Sequence, residues 1–141
     1  MAASRRHRCD LPRVSGGRSY DVSTPLSAVD TYVKRALDGL WAIDSAFHPF
    51  VFGHLADGNL YIVLNHPGPL SPDRAIAVET VLYQDLASFG GSFSAEHGIG
   101  VKRIGALRTY ADPTKRALMQ LVKHAVDTPA LFNRGKVVPR P

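Results

Sequence analysis

Apolar positions along this chain fall into stretches of period two and stretches of period three to four. Ser19 to Thr24 reads as a short extended segment that Pro25 ends. Leu26, Val29, Val33, Ala36, Leu37 and Leu40 then recur three and four apart, the apolar stripe of a helix. Ser27 is placed to cap it, and Asp30 three residues on completes a capping-box-like pattern. Asp38-Gly39 weakens the end of this helix, Trp41 and Ile43 continue the buried surface, and His48-Pro49 leads into the next strand.

From Val51 to Leu64 the period returns to two, with Asp57-Gly58, the favoured two-residue hairpin turn, in the middle. With those two residues as the turn, Ala56 pairs with Asn59, Leu55 with Leu60 and His54 with Tyr61. Phe52, His54, Tyr61, Val63 and Asn65 then share one face. Val51, Leu55, Leu60, Ile62 and Leu64 share the other, which is the face that packs. An imidazole and a phenol stand side by side on the non-core face, in a register that a longer loop would undo.

After a loop at His66-Pro67-Gly68-Pro69, Ser71-Pro72-Asp73 is a strong helix start, a cap followed by proline at the first helical position. Val78, Val81, Leu82, Leu86 and Phe89 make its stripe, and Gly90-Gly91 stop it. Ser92 to Gly100 reads as a glycine-rich loop and Val101–Leu107 as a short helix. Asp112-Pro113 opens a last helix with Leu118, Leu121, Val122 and Ala125 as its core face, ended by Thr128-Pro129, and the tail from Phe132 is extended. Strand, helix, strand, strand, helix is most of a ferredoxin-like split unit. The expected fold is therefore α+β, an antiparallel sheet with helices on one face and the other face free for a ligand or partner.

Composition narrows the picture only a little. The 141 residues suffice for one domain with one core. An apolar share of 45% fits an ordinary globule, and no apolar run approaches the roughly 20 residues of a membrane span. The single cysteine, Cys9, excludes an internal disulfide. A net charge of +5 raises nucleic acid as a partner. However, Arg5, Arg6, Arg8, Arg13 and Arg18 crowd the first 18 residues against the single acid Asp10, which leaves the body only mildly basic and argues against nucleic acid. Residues 1–18 read as a basic, weakly ordered lead produced by truncation of a longer gene. An organellar targeting peptide is the other reading, but the lead lacks a clear amphipathic face, so the expected location is cytoplasmic.

His97 is the first candidate for chemistry. It stands between Glu96 and Gly98 in the glycine loop, where an imidazole can reach a substrate with a carboxylate beside it. A structural His-Glu contact in a tight loop is the competing reading, and the residues alone leave the two open.

Two stretches, Gly53-His54-Leu55-Ala56-Asp57-Gly58-Asn59-Leu60-Tyr61 and Gly90-Gly91-Ser92-Phe93-Ser94-Ala95-Glu96-His97-Gly98-Ile99-Gly100, occur in order between Tyr20-Asp21-Val22-Ser23 and Leu131-Phe132-Asn133-Arg134-Gly135-Lys136-Val137. Together they resemble the C-terminal domain of FAD-linked oxidases. These are flavoproteins of the vanillyl-alcohol-oxidase type that oxidise 2-hydroxy acids such as D-lactate, glycolate and D-2-hydroxyglutarate. The resemblance runs from about residue 20 to residue 138, so residues 19–141 are expected to be part of such a domain.

The resemblance implies His97 as the general base that takes the hydroxyl proton while the α-hydrogen leaves to FAD as hydride. It puts Asn133, with Asn59, on the flavin side. It implies a divalent metal such as zinc on two histidines and a glutamate, positions that fall on His54, Tyr61 and Glu96. Tyr61 stands where the second histidine would be, and a neutral phenol is a poor substitute. The expectation is therefore weak or absent metal binding, with His54 bonded instead to Tyr61 or Glu96. Val63 replaces an asparagine that faces the substrate, and Ser19 a lysine that pairs with its carboxylate, a role left to Arg18 or Lys102. Ala56 replaces a glycine and Arg134 a proline. Arg18 and Tyr61 are the expected substrate contacts.

The family carries FAD mainly on an N-terminal domain that does not precede residue 20 here. The expectation is thus a substrate- and flavin-facing portion of an oxidoreductase, inactive alone and docking with a separate flavin-binding chain. The alternatives are a truncated, non-catalytic remnant and an interaction module that uses the exposed sheet face, for example to form a homodimer.

Overall fold

The computed structural model describes residues 17–139. Strand β1 (Arg18–Ser23) is followed by helix α1 (Val29–Ile43), the hairpin β2 (His48–His54) and β3 (Asn59–Asn65), and helix α2 (Pro72–Tyr83). The glycine loop then leads to α3 (Ile104–Tyr110) and α4 (Pro113–Val126). The sheet is antiparallel in the order β1-β3-β2, so β3 is central. This is the expected α+β, ferredoxin-like layout. Residues 1–16 of the basic lead lie outside the described residues, whereas Arg18, placed at the lead's end, opens β1.

Helices α1 and α2 cover one face of the sheet. Val22, Leu60, Ile62 and Leu64 are buried against Tyr32, Ala36 and Leu40 of α1 and Val78 and Leu82 of α2. The Tyr32 hydroxyl donates to the Leu82 carbonyl at 3.0 Å, which satisfies a buried phenol and ties α1 to α2. Ser71 caps α2 by accepting from the Arg74 N–H at 3.3 Å, and Asp112 caps α4 by accepting from the Lys115 N–H at 2.9 Å.

The hairpin turn departs from expectation. Leu55–Asp57 form a 3-10 turn with Gly58 left-handed at φ 65°, so four residues rather than two connect the strands. His54 consequently pairs with Asn59 and Phe52 with Tyr61. The register moves by two positions, so the parity of the faces survives although the His54–Tyr61 pairing does not. Leu55, expected in the core, is exposed on the turn. Gly58 is pinned there because its N–H donates to the Leu55 carbonyl at 3.1 Å and its own carbonyl accepts from Thr24 at 2.9 Å. A Cβ at this position would lie 1.8 Å from the Thr24 oxygen.

Other boundaries shift as well. A 3-10 turn at Leu26–Ala28 precedes α1, whose N-cap is Ala28 without a side-chain bond, so Ser27 is not the cap and Leu26 is exposed. Leu86 and Phe89 belong to a separate 3-10 turn (Leu86–Phe89) rather than to α2. The helix expected over 101–107 is a 3-10 turn (Val101–Arg103) running into α3. The largest difference is α4, which buries none of its residues: Leu118, Leu121 and Val122, the expected core face, are all exposed.

Candidate active site

The site is built where the glycine loop folds back onto the open face of the sheet beside β1. Ser23 and Ser92 exchange both backbone hydrogen bonds, at 2.8 and 2.9 Å, and so extend the sheet by one bridge. Gly91 allows this approach, since a Cβ there would meet the Ser23 oxygen at 2.3 Å. The loop then passes over Asp21, which lies opposite Tyr61 on β3.

Asp21 is 2% exposed. Its Oδ2 accepts from three successive backbone N–H groups, those of Ala95 (3.2 Å), Glu96 (3.1 Å) and His97 (3.4 Å). The Nδ1 of His97 lies 3.2 Å from the same oxygen, and the Arg103 guanidinium pairs with Oδ1. Burial lowers the pKa of Arg103 from its ordinary value, so the buried carboxylate is the partner that keeps this cation inside. The His97 side chain is 60% exposed, and its Nε2 has no protein partner among the described residues. Its ring meets Tyr61 edge to face at 5.9 Å, and Tyr61 is stacked on Phe52 at 5.5 Å.

The groups that the family resemblance put in a metal site do meet in part. The Tyr61 hydroxyl donates to Glu96 Oε2 at 2.5 Å, and the Asn59 amide donates to Oε1. The bond to Glu96 is the main reason that the Tyr61 phenol is pushed above its ordinary pKa, with burial and the Glu96 charge adding to it. His54 is exposed and lies across the strand pair from Asn59. Among the described residues no three His, Cys, Asp or Glu side chains converge. Both oxygens of Glu96 already accept from an O–H and an N–H, a donor set that satisfies a carboxylate without a cation. These residues do not fit a metal centre.

An open cleft of about 810 Å³ runs along the outer edge of β1, lined by His97, Arg18, Lys102, Arg103, Glu79 and Tyr83 among others. Arg103 is engaged by Asp21, which leaves Arg18 and Lys102 as the cations facing the space. Burial raises the pKa of the Glu79 carboxyl, and the positive charge of Arg18 opposes that shift.

Of the residues picked from sequence, His97, Arg18 and Lys102 thus share one cleft, and Tyr61, Glu96 and Asn59 form the network next to His97. Asn59 is 4% exposed with its amide on Glu96. Asn133 follows α4 at φ 47°, exposed, and nothing beyond Ala106 lines the cleft. Asp21, Arg103 and Glu79 were not singled out. Asp21 carried a signal, a lone acid between apolar neighbours on a strand. Glu79 and Tyr83 lie four apart on α2, beside its apolar stripe, a spacing that puts both on one face.

Comparison with known proteins places the chain in a family. The chain is 36% identical over 121 residues to a D-2-hydroxyglutarate dehydrogenase of Xanthomonas citri pv. viticola, covering 83% of this chain and 26% of that protein. It is 32% identical over 124 residues to the mitochondrial D-2-hydroxyglutarate dehydrogenase of Danio rerio, covering 85% and 22%. The mitochondrial D-2-hydroxyglutarate dehydrogenase of Arabidopsis thaliana is 31% identical over 130 residues, covering 92% and 22%. The chain therefore spans about a quarter of the length of these curated relatives. Residues 13–137 match the family described as FAD linked oxidases, C-terminal domain, and the chain belongs to that family.

Proposed function

We propose that this chain is the substrate- and flavin-facing portion of an FAD-dependent oxidoreductase that oxidises a 2-hydroxy acid of the D-2-hydroxyglutarate, D-lactate or glycolate type. The observation that carries the reading is His97: Nδ1 lies against a buried carboxylate while Nε2 has no protein partner among the described residues, in a cleft also lined by Arg18 and Lys102. A 2-hydroxy acid has a carboxylate next to a hydroxyl. Arg18 and Lys102 suit the first and Nε2 the second.

Arg18 and Lys102 bind and orient the substrate carboxylate. His97 receives the hydroxyl proton at Nε2, so the oxygen gains no full charge as the α-hydrogen leaves. FAD, named in the family's description, is the hydride acceptor when bound, and the product is the 2-oxo acid. The cleft is open and the His97 side chain largely exposed, which suits closure by a flavin-bearing surface. Asn133, exposed on its turn, is the residue of this chain proposed to meet the flavin. Asn59 acts indirectly by holding Glu96. Tyr61 packs edge-on against His97 and is proposed to border the substrate. No step passes through a metal.

The test is flavin absorbance of the chain purified together with a flavin-binding polypeptide. A yellow complex should bleach anaerobically with D-2-hydroxyglutarate or D-lactate, and His97→Ala should abolish the bleaching while keeping the colour. Bleaching that survives His97→Ala in a coloured complex contradicts the role of the base.

A second reading has one observation in its favour. Phe50 and Phe52 are 55% and 57% exposed on the open face of the hairpin, as an interaction module would have them. A complex that forms without flavin and loses its partner on Phe52→Ser would favour that reading.

A further inference from the structure

We infer that Asp21 is the positioning residue of His97, fixing which ring nitrogen carries the proton and where the ring stands; this rests on the proposed role of His97 as base. An imidazole is useful as a base only when its free nitrogen faces the substrate, and in the neutral ring one nitrogen is a donor and the other an acceptor. A carboxylate can only accept. Asp21 Oδ2 lies 3.2 Å from Nδ1, and in this proposal it draws the proton to Nδ1 and leaves the lone pair on Nε2 for the cleft.

The same oxygen also sets the backbone that carries the ring. The N–H groups of Ala95, Glu96 and His97 converge on it, so three consecutive residues of the loop are oriented by one atom. Arg103 on the other oxygen balances the charge. Loop placement and ring tautomer are then a single event, because neither can change without releasing a bond to Asp21. This gives a reason for an acid on a strand whose neighbours Tyr20 and Val22 are core residues. A hydrophobic residue at Asp21 would lose all of these acceptors.

A purely structural anchor would hold the loop without deciding the tautomer, so the tautomer is the measurement. Imidazole nitrogens of the full chain, labelled with 15N at histidine, are read by long-range proton–nitrogen correlation in alkaline buffer, where the ring is neutral. The wild-type ring should be about nine-tenths in the Nδ1–H form. In Asp21→Ala that form should fall below about half, with the methyl signals of Leu60 and Ile62 unchanged as evidence of an intact core. A wild-type ring protonated mainly on Nε2, or a folded Asp21→Ala that keeps the Nδ1–H form, overturns the inference. Should the variant fail to fold, the wild-type spectrum decides alone. Neither flavin nor substrate is needed, so a wrong tautomer and an absent flavin reaction are separate failures.

Discussion

Glu79 is a carboxyl that the fold holds partly away from water beside Arg18, and its titration gives a test at the scale of one side chain. Burial raises its pKa above the ordinary glutamate value of roughly 4.3. Below that value Glu79 is protonated in both folded and unfolded chains and contributes nothing. As pH rises from there through the raised folded value, the unfolded chain ionises first and stability is lost. Glu79→Gln should therefore raise the melting temperature near neutral pH and leave it unchanged near ~pH 3.5. A loss at neutral pH would mean that the charge attraction of Arg18 outweighs burial. Asp21 is held by contacts on both carboxylate oxygens, three backbone N–H groups on Oδ2 and the Arg103 guanidinium on Oδ1. Removing it strands three N–H groups and a guanidinium, and Asp21→Ala should cost about 3–5 kcal/mol in chemical denaturation.

Helices and strands are where sequence pattern carried furthest and where its limit shows. The stripes of α1 and α4 look alike by spacing, yet Tyr32, Ala36 and Leu40 of α1 are buried whereas Leu118, Leu121 and Val122 of α4 are exposed. Periodicity reports that a helix has an apolar face, and nothing in it says what covers that face. In this chain, Leu82→Ala should cost about 2–5 kcal/mol, while Leu121→Ala should stay within about 0.5 kcal/mol, both by urea denaturation. The hairpin shows a different limit. Alternation placed Tyr61 and His54 on the open face correctly, because a shift of two preserves parity. The pairing was lost because Leu55–Asp57 curl into a 3-10 turn. Gly58→Ala, placing a Cβ against the Thr24 carbonyl at a positive φ, should cost more than about 1 kcal/mol. Beyond α4, Asp127 accepts from the N–H groups of Leu131 and Phe132, at 2.9 and 3.1 Å. Its pKa is lowered chiefly by the Lys123 hydrogen bond. That contribution is full above the ordinary aspartate value of roughly 3.9 and disappears as pH falls through the lowered one. The amide signals of Leu131 and Phe132 should move together in that acid range.

At the scale of the molecule, a three-stranded sheet buries one face under two helices and gives the other to a loop and an open edge. The family motifs made the loop and hairpin legible as one site. The Tyr61–Glu96 bond, the stacking of Tyr61 on Phe52 and the cleft along β1 depend on register and on loop path, which spacing does not encode. The partners of Asp21 were not legible for the same reason, since its backbone donors lie 74 to 76 residues away. No described helix is long and apolar enough to cross a membrane. The central claim is that the β1-edge cleft receives a 2-hydroxy acid. It is tested most directly by titrating the 15N-labelled chain with 2-oxoglutarate, the 2-oxo acid that oxidation of D-2-hydroxyglutarate would give, which keeps the carboxylate next to the reacting carbon and has no hydride to give. Amide shifts should concentrate at Arg18, His97, Gly100 and Lys102 and vanish in the double variant Arg18→Ala, Lys102→Ala. Shifts that centre on the Phe50–Phe52 face, or that persist unchanged in the double variant, would contradict it.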